Sequence, residues 1–217
     1  YFQYGGIAAL PFAADPLVMF WNLEIFSSEG FARPPASWPD FFELGKTLTI
    51  IDDSLTVKRS AIAFGETLNV DNLREILATL LFQIGNPITQ YDQRGNLTST
   101  LEGGGAIESA FPVLRFYTEF SDASKSVYSW NRSLPRSEEA FLSGRLAVYF
   151  GLASEIVPLR LKNPNLNFAV AEIPTLDDDV SRRKAVYSKL YGFAIPKSSP
   201  NPSGAFKAAL LLTESGP

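Results

Sequence analysis

The polar side chains able to do chemistry fall in a few places. Glu66, Thr67 and Asn69 follow a short apolar run at 62–64, and Asn72 opens the periodic segment after them. A carboxylate, a hydroxyl and amides in one loop offer acceptors and donors to a polar ligand, and a loop at the C-terminal end of a strand is where α/β proteins hold ligands. The same loop also reads as a helix start capped by Asn69 or Asp71. Trp130 and Asn131 lie in an irregular polar stretch with no periodicity to bury an indole. A tryptophan face there can stack on the apolar face of a ring-shaped ligand. Tyr187 and Tyr191 stand at the edge of an apolar run near 191–195, and alternation assigns at least one of them to the core.

Other constellations carry less. Asp52-Asp53 and Glu138-Glu139 are adjacent acids whose side chains point apart, unlike the facing carboxyl pair of glycoside hydrolysis. Asp177-Asp178-Asp179 lacks the spaced oxygens and glycine of a calcium loop and reads as a solvated turn. The glycines at 103–105 are not followed by Gly-Lys-Ser/Thr, so they form no phosphate-binding loop. Histidine and cysteine are both absent, which removes Cys/His zinc sites, Ser-His-Asp and Cys-His triads and any histidine base. No metal, no cofactor and no enzymatic activity are expected. The net charge of -4, with Arg132, Arg136, Arg145 and the basic residues at 182–184 scattered, argues against a nucleic-acid partner.

The elements that must position these groups follow from the hydrophobic pattern. With 217 residues, 46% of them apolar, the chain can bury a substantial core. Apolar runs at 7–12 and 17–21 suit buried strands, and Asp15-Pro16 between them is stiff and extended. A short helix is expected over 22–30, and another from Trp38 with Ser37 as its cap. Leu73, Ile76, Leu77, Leu80, Leu81 and Ile84 repeat at helical spacing up to a stop at Gly85. The runs 88–91 and 97–100 flank the turn 92–96 as a hairpin, and a helix follows the glycines, started late by Pro112. Further helices are expected from Ser137 to Gly144, over 156–161 and after Pro202, with strands at 146–150, 168–173 and 191–195. Strands alternating with helices predict an α/β fold. No apolar stretch reaches the roughly 18 residues that span a bilayer.

Four segments resemble the extracellular solute-binding proteins, the family that includes the maltodextrin-binding proteins. They are residues 10–22, with Leu10-Pro11-Phe12, Asp15-Pro16 and Trp21-Asn22; residues 34–41, with Pro34-Pro35 and Trp38-Pro39; residues 140–151, with Phe141-Leu142, Gly144-Arg145 and Tyr149-Phe150-Gly151; and the pair 168–174 and 191–196. Their order and spacing cover nearly the whole chain.

The resemblance implies a periplasmic-binding-protein-like fold of type II: two α/β lobes joined by hinge strands and closing over a solute, here with the first lobe incomplete. Residues 1–13 and 174–217 would belong to the first lobe and 14–173 to the second, with crossings near 13–17 and 171–175. The chain would be a fragment lacking the N-terminal part of a longer protein, prone to self-associate through exposed first-lobe residues such as Phe193, Phe206 and Leu210. The implied function is the extracellular or periplasmic solute receptor of an ABC importer, tethered to the membrane by a segment outside this sequence and delivering a carbohydrate to permease subunits. A carbohydrate-active enzyme, or a carbohydrate-binding sensor without a transport role, is the alternative. Asp15 matches a position where sugar-binding members carry a carboxylate that accepts from hydroxyls; its local reading is a cap for the turn before Leu17. Tyr187 and Tyr191 would then line the cleft. After Gly151 the sequence continues Leu152-Ala153, so the tryptophan that sugar binders often carry two residues after this glycine is absent, and the solute class stays open.

Overall fold

The computed structural model describes residues 2–3, 6–7, 9–176 and 184–214; the Asp177-Asp178-Asp179 run lies outside the described residues. In chain order the elements are β1 (Phe2–Gln3), β2 (Gly6–Ile7), β3 (Leu10–Asn22), α1 (Leu23–Ser28), α2 (Asp40–Leu48), β4 (Ile50–Ile51), β5 (Val57–Ile62), α3 (Leu73–Gln83), β6 (Thr89–Tyr91), β7 (Leu97–Ser99), α4 (Phe111–Glu119), α5 (Ser137–Leu142), β8 (Leu146–Leu152), α6 (Ile156–Lys162), β9 (Phe168–Ala171), β10 (Ser188–Phe193) and α7 (Pro202–Glu214). The fold is mixed α/β. Among the described residues no helix is long and apolar enough to cross a membrane.

The chain divides into two compact units, one of residues 1–16 with 188–217, the other of residues 17–187. In the smaller unit β10 pairs antiparallel with the first half of β3, Lys189 opposite Asp15 and Tyr191 opposite Ala13, and β1 pairs with β2. In the larger unit the sheet order is β9, β3, β8, β5, β4. β5 and β8 are parallel neighbours, so their C-terminal ends share one edge of the sheet. β3 runs antiparallel to β8, with Leu17 opposite Leu152 at that same edge.

Every residue of β8 is buried, as expected of a strand covered on both faces. Alternation divides its aromatics: Tyr149 packs beside Phe141 and Phe20, at 5.6 and 5.8 Å between ring centroids, and Phe150 beside Trp38 and Phe64, at 5.5 and 5.6 Å. Burial of such rings contributes about 1.5–3 kcal/mol for each fully buried large side chain.

Several boundaries differ from the sequence expectation for physical reasons. Residues 10–22, on both sides of Asp15-Pro16, are one unbroken strand, since Pro16 has an extended backbone and needs no turn, while Ile7 belongs to the separate strand β2. Ser37 does not cap α2; instead the Asp40 carboxylate accepts from the Ala36 and Ser37 amides, at 3.0 and 2.9 Å, holding the entry from inside the helix. Neither Asn69 nor Asp71 caps α3, whose cap position is Asn72 in left-handed conformation, φ 56°. Pro174, Thr175 and Ala185 are tied to the larger unit: Gln83 Nε2 donates to the carbonyls of both Pro174 and Ala185, and Trp38 N to that of Thr175.

Candidate functional site

The edge of the larger unit where β5 and β8 end is built by the segment 63–75, the loop 128–137 and the residues following β8. After β5 the chain stays buried through Ala63 and Phe64, then turns at Gly65, φ 92°. A side chain on that residue would collide with the Ser121 hydroxyl, so only glycine fits. The turn releases Thr67 and Leu68 outward, with Glu66 mostly covered, before Asn69 and Val70 return to the interior.

Asn69 organises the neighbouring loop. Its Nδ2 donates to the carbonyls of Asn131 and Leu134, at 2.9 and 3.0 Å, and its Oδ1 accepts from the Trp130 indole at 3.1 Å. The amide is therefore occupied by the protein. Trp130 is a core residue, 1% exposed, and presents no face for stacking, contrary to the sequence expectation. An irregular backbone can still insert a side chain into the core when a buried partner satisfies its N–H, and Asn69 is that partner. Asn131 turns its Oδ1 to the Ser133 amide and hydroxyl and its Nδ2 to the Tyr128 hydroxyl.

Asn72 is tied into a second network. Its Nδ2 donates to Glu155 Oε1 at 3.0 Å and lies 3.2 Å from the Tyr149 hydroxyl, which donates to Glu155 Oε2 at 2.5 Å. The Leu152 amide completes the Glu155 shell at 2.9 Å. Burial, then the adjacent Glu155 charge, holds the Tyr149 phenol well above its ordinary range, so it remains a hydroxyl donor. A side chain on Gly151 would come within 2.7 Å of both Glu155 and Tyr149, which explains a glycine inside this strand.

Acid–base pairs complete this edge. Arg136 bonds Asp71, whose other oxygen accepts from the Ser137 hydroxyl at 3.1 Å and the Glu138 amide at 2.9 Å. Arg132 Nε stands 3.5 Å from Glu66 Oε1, and the Glu66 carbonyl accepts from the Tyr117 hydroxyl at 2.7 Å. Arg74 meets Glu75 at 3.1 Å. The hydrogen bond to Asp71 raises the pKa of Arg136, and the bond to Glu75 raises that of Arg74, fixing both as cations.

The structure thus gathers Glu66, Thr67, Asn69, Asn72, Trp130 and Asn131 along one edge, with Thr67 exposed and the Asn69 and Asn72 amides engaged internally. Tyr187 belongs to the same unit through its backbone, which donates to Thr79 Oγ1 at 3.0 Å and accepts from the Leu17 amide at 2.9 Å. Asp15 and Tyr191 belong to the smaller unit, Asp15 buried and Tyr191 exposed beside Phe12, 6.3 Å away between ring centroids. Sequence reasoning missed Arg132, Arg136, Tyr149 and Glu155 as parts of this edge. Only the three-residue spacing from Leu152 to Glu155, typical of an acid reaching back to a helix start, hinted at one of them.

Mixed α/β units of this kind recur in solved solute-binding proteins. The chain is similar to the mannotriose-bound CpMnBP1 (20% identity, TM-score 0.65, 97% of this chain and 52% of that one). It is also similar to the ABC-transporter-associated binding protein of B. animalis subsp. lactis Bl-04 bound to beta-1,6-galactobiose (20%, 0.65, 97% and 48%) and to UgpB of Mycobacterium tuberculosis bound to glycerophosphocholine (19%, 0.65, 98% and 48%). The chain spans about half the length of each of these structures. No curated protein matches the sequence. Residues 1–214 match the bacterial extracellular solute-binding proteins, and the chain belongs to that family.

Proposed function

We propose that this chain forms part of the extracellular receptor of an ABC importer and captures a carbohydrate without transforming it. The larger unit would be most of the second lobe and the smaller unit part of the first. The single observation that carries this reading is the polar edge where β5 and β8 end, with Thr67 and the Arg132 and Arg136 guanidinium groups directed outward. Saccharide ligands in CpMnBP1 and the B. animalis protein support the choice of solute class. On this reading Thr67 contacts the solute from the larger unit, Glu66, Asn69, Asn72, Trp130 and Asn131 hold the contacting segments in place, and Tyr187 fixes the chain where it leaves that unit; Asp15 and Tyr191 are proposed contacts belonging to the smaller unit. Delivery to permease subunits and attachment to the membrane belong to the same proposal.

Calorimetric titration of the intact protein with neutral manno-, gluco-, galacto- and xylo-oligosaccharides of two to four units tests it, with glycerophosphocholine as the non-sugar control. Saturable binding of a saccharide that is recovered unchanged after long incubation is the expected result. Release of shortened saccharide, or binding of glycerophosphocholine alone, would overturn it.

A further inference from the structure

The pairs at this edge differ from the ion pairs of the protein in which both partners are exposed. Asp71, Glu66 and Glu75 are largely buried, their side chains 8%, 15% and 7% exposed, whereas Arg136, Arg132 and Arg74 are 72%, 78% and 81% exposed. In Lys46–Glu43 and Lys184–Glu172 both partners lie well in solvent. An exposed pair is held loosely and contributes little. A guanidinium clipped to a buried carboxylate is fixed on one side and carries its remaining N–H groups outward in a set geometry. Arg136 uses its Nε and Nη2 on Asp71 and Arg132 its Nε on Glu66. The loop that bears both is pinned by Asn69, so the backbone that carries the forks is organised before any ligand arrives.

The charge of each pair also sums to zero. An anionic group approaching Arg136 meets Asp71 beside it, and most of the Coulombic attraction cancels. A hydroxyl gains from the arrangement instead, since it can accept from the guanidinium without needing net positive charge.

We propose that Arg132 and Arg136 contact the solute, donating to hydroxyls of an uncharged saccharide, with the buried partner of each arginine selecting against uronates and phosphorylated sugars. The inference rests on the carbohydrate reading above and adds the charge of the solute and two of its donors. Because truncation would leave Asp71 and Glu66 buried without a partner, the informative variants are Arg132→Lys and Arg136→Lys, which keep the charge pair and lose the planar fork.

The experiment is calorimetry on the intact protein with the neutral oligosaccharide panel and with oligogalacturonides of equal length, each at 50 and 500 mM salt, alongside melting curves. The wild type should prefer a neutral saccharide, with affinity changing less than about threefold across the salt range. Each lysine variant should lose about tenfold or more in affinity while melting close to the wild type. Preference for the uronides with a steep salt dependence would overturn this inference and leave the carbohydrate reading intact, as would unchanged affinity in both lysine variants. Failure of every saccharide, charged or neutral, to bind the wild type would sink both.

Discussion

Replacing Asn69 by alanine should unfasten the 130–134 loop and destabilise the larger unit. The side chain makes three hydrogen bonds, to the buried Trp130 indole and to the carbonyls of Asn131 and Leu134. A buried N–H left without a partner costs about 1–3 kcal/mol, and each part-buried carbonyl bond adds about 0.5–1.5 kcal/mol, so a total of about 2–6 kcal/mol is expected. For a chain of this size that is a fall in melting temperature of at least about 4 °C. Differential scanning calorimetry gives the stability, and the double-mutant cycle with Trp130→Phe isolates the indole bond, which should couple the two sites by about 1 kcal/mol or more. A melting temperature within a degree of the wild type, together with additive behaviour in the cycle, would refute the view of Asn69 as the clasp of this loop.

Gly65→Ala should destabilise by about 1–3 kcal/mol, read by urea unfolding, because the residue sits at φ 92° against Ser121. Tyr149 and Tyr117 are both held above the ordinary phenol value of 10.0, chiefly by burial. A folded pKa above the unfolded one contributes stability that is complete below about pH 10 and is lost as pH rises further. Ultraviolet titration should therefore find these two phenols ionising only as the protein unfolds, and early ionisation of all the tyrosines at constant circular dichroism would contradict it. Asp15→Ala should weaken saccharide binding about ten- to a hundredfold by calorimetry with little change in melting temperature; a large stability loss at unchanged affinity would make Asp15 structural.

The sequence by itself determined the pattern of elements. Period-two and period-3.6 hydrophobicity, with Gly85, Gly144 and Pro112 as punctuation, is a local property, and the helix behind Asn72, the hairpin around 92–96 and the strands at 146 and 168 all formed where it places them. Family membership was legible for the same reason, since ordered motifs survive along a chain regardless of what each side chain touches. The partners were not legible. Trp130 reads as an exposed platform because nothing local buries it, yet Asn69, 61 positions earlier, satisfies its N–H and lets it enter the core. Asp71 reads as a cap and instead holds Arg136, 65 positions away. Arg132 and Arg136 look scattered along the chain, and it is the Ser129 hydroxyl, accepting from the Ala61 and Ile62 amides, together with Asn69 that brings their loop against β5 and the segment after it. Hydrogen bonds and ion pairs depend on three-dimensional proximity, and periodicity carries no information about which distant residue will stand within 3 Å.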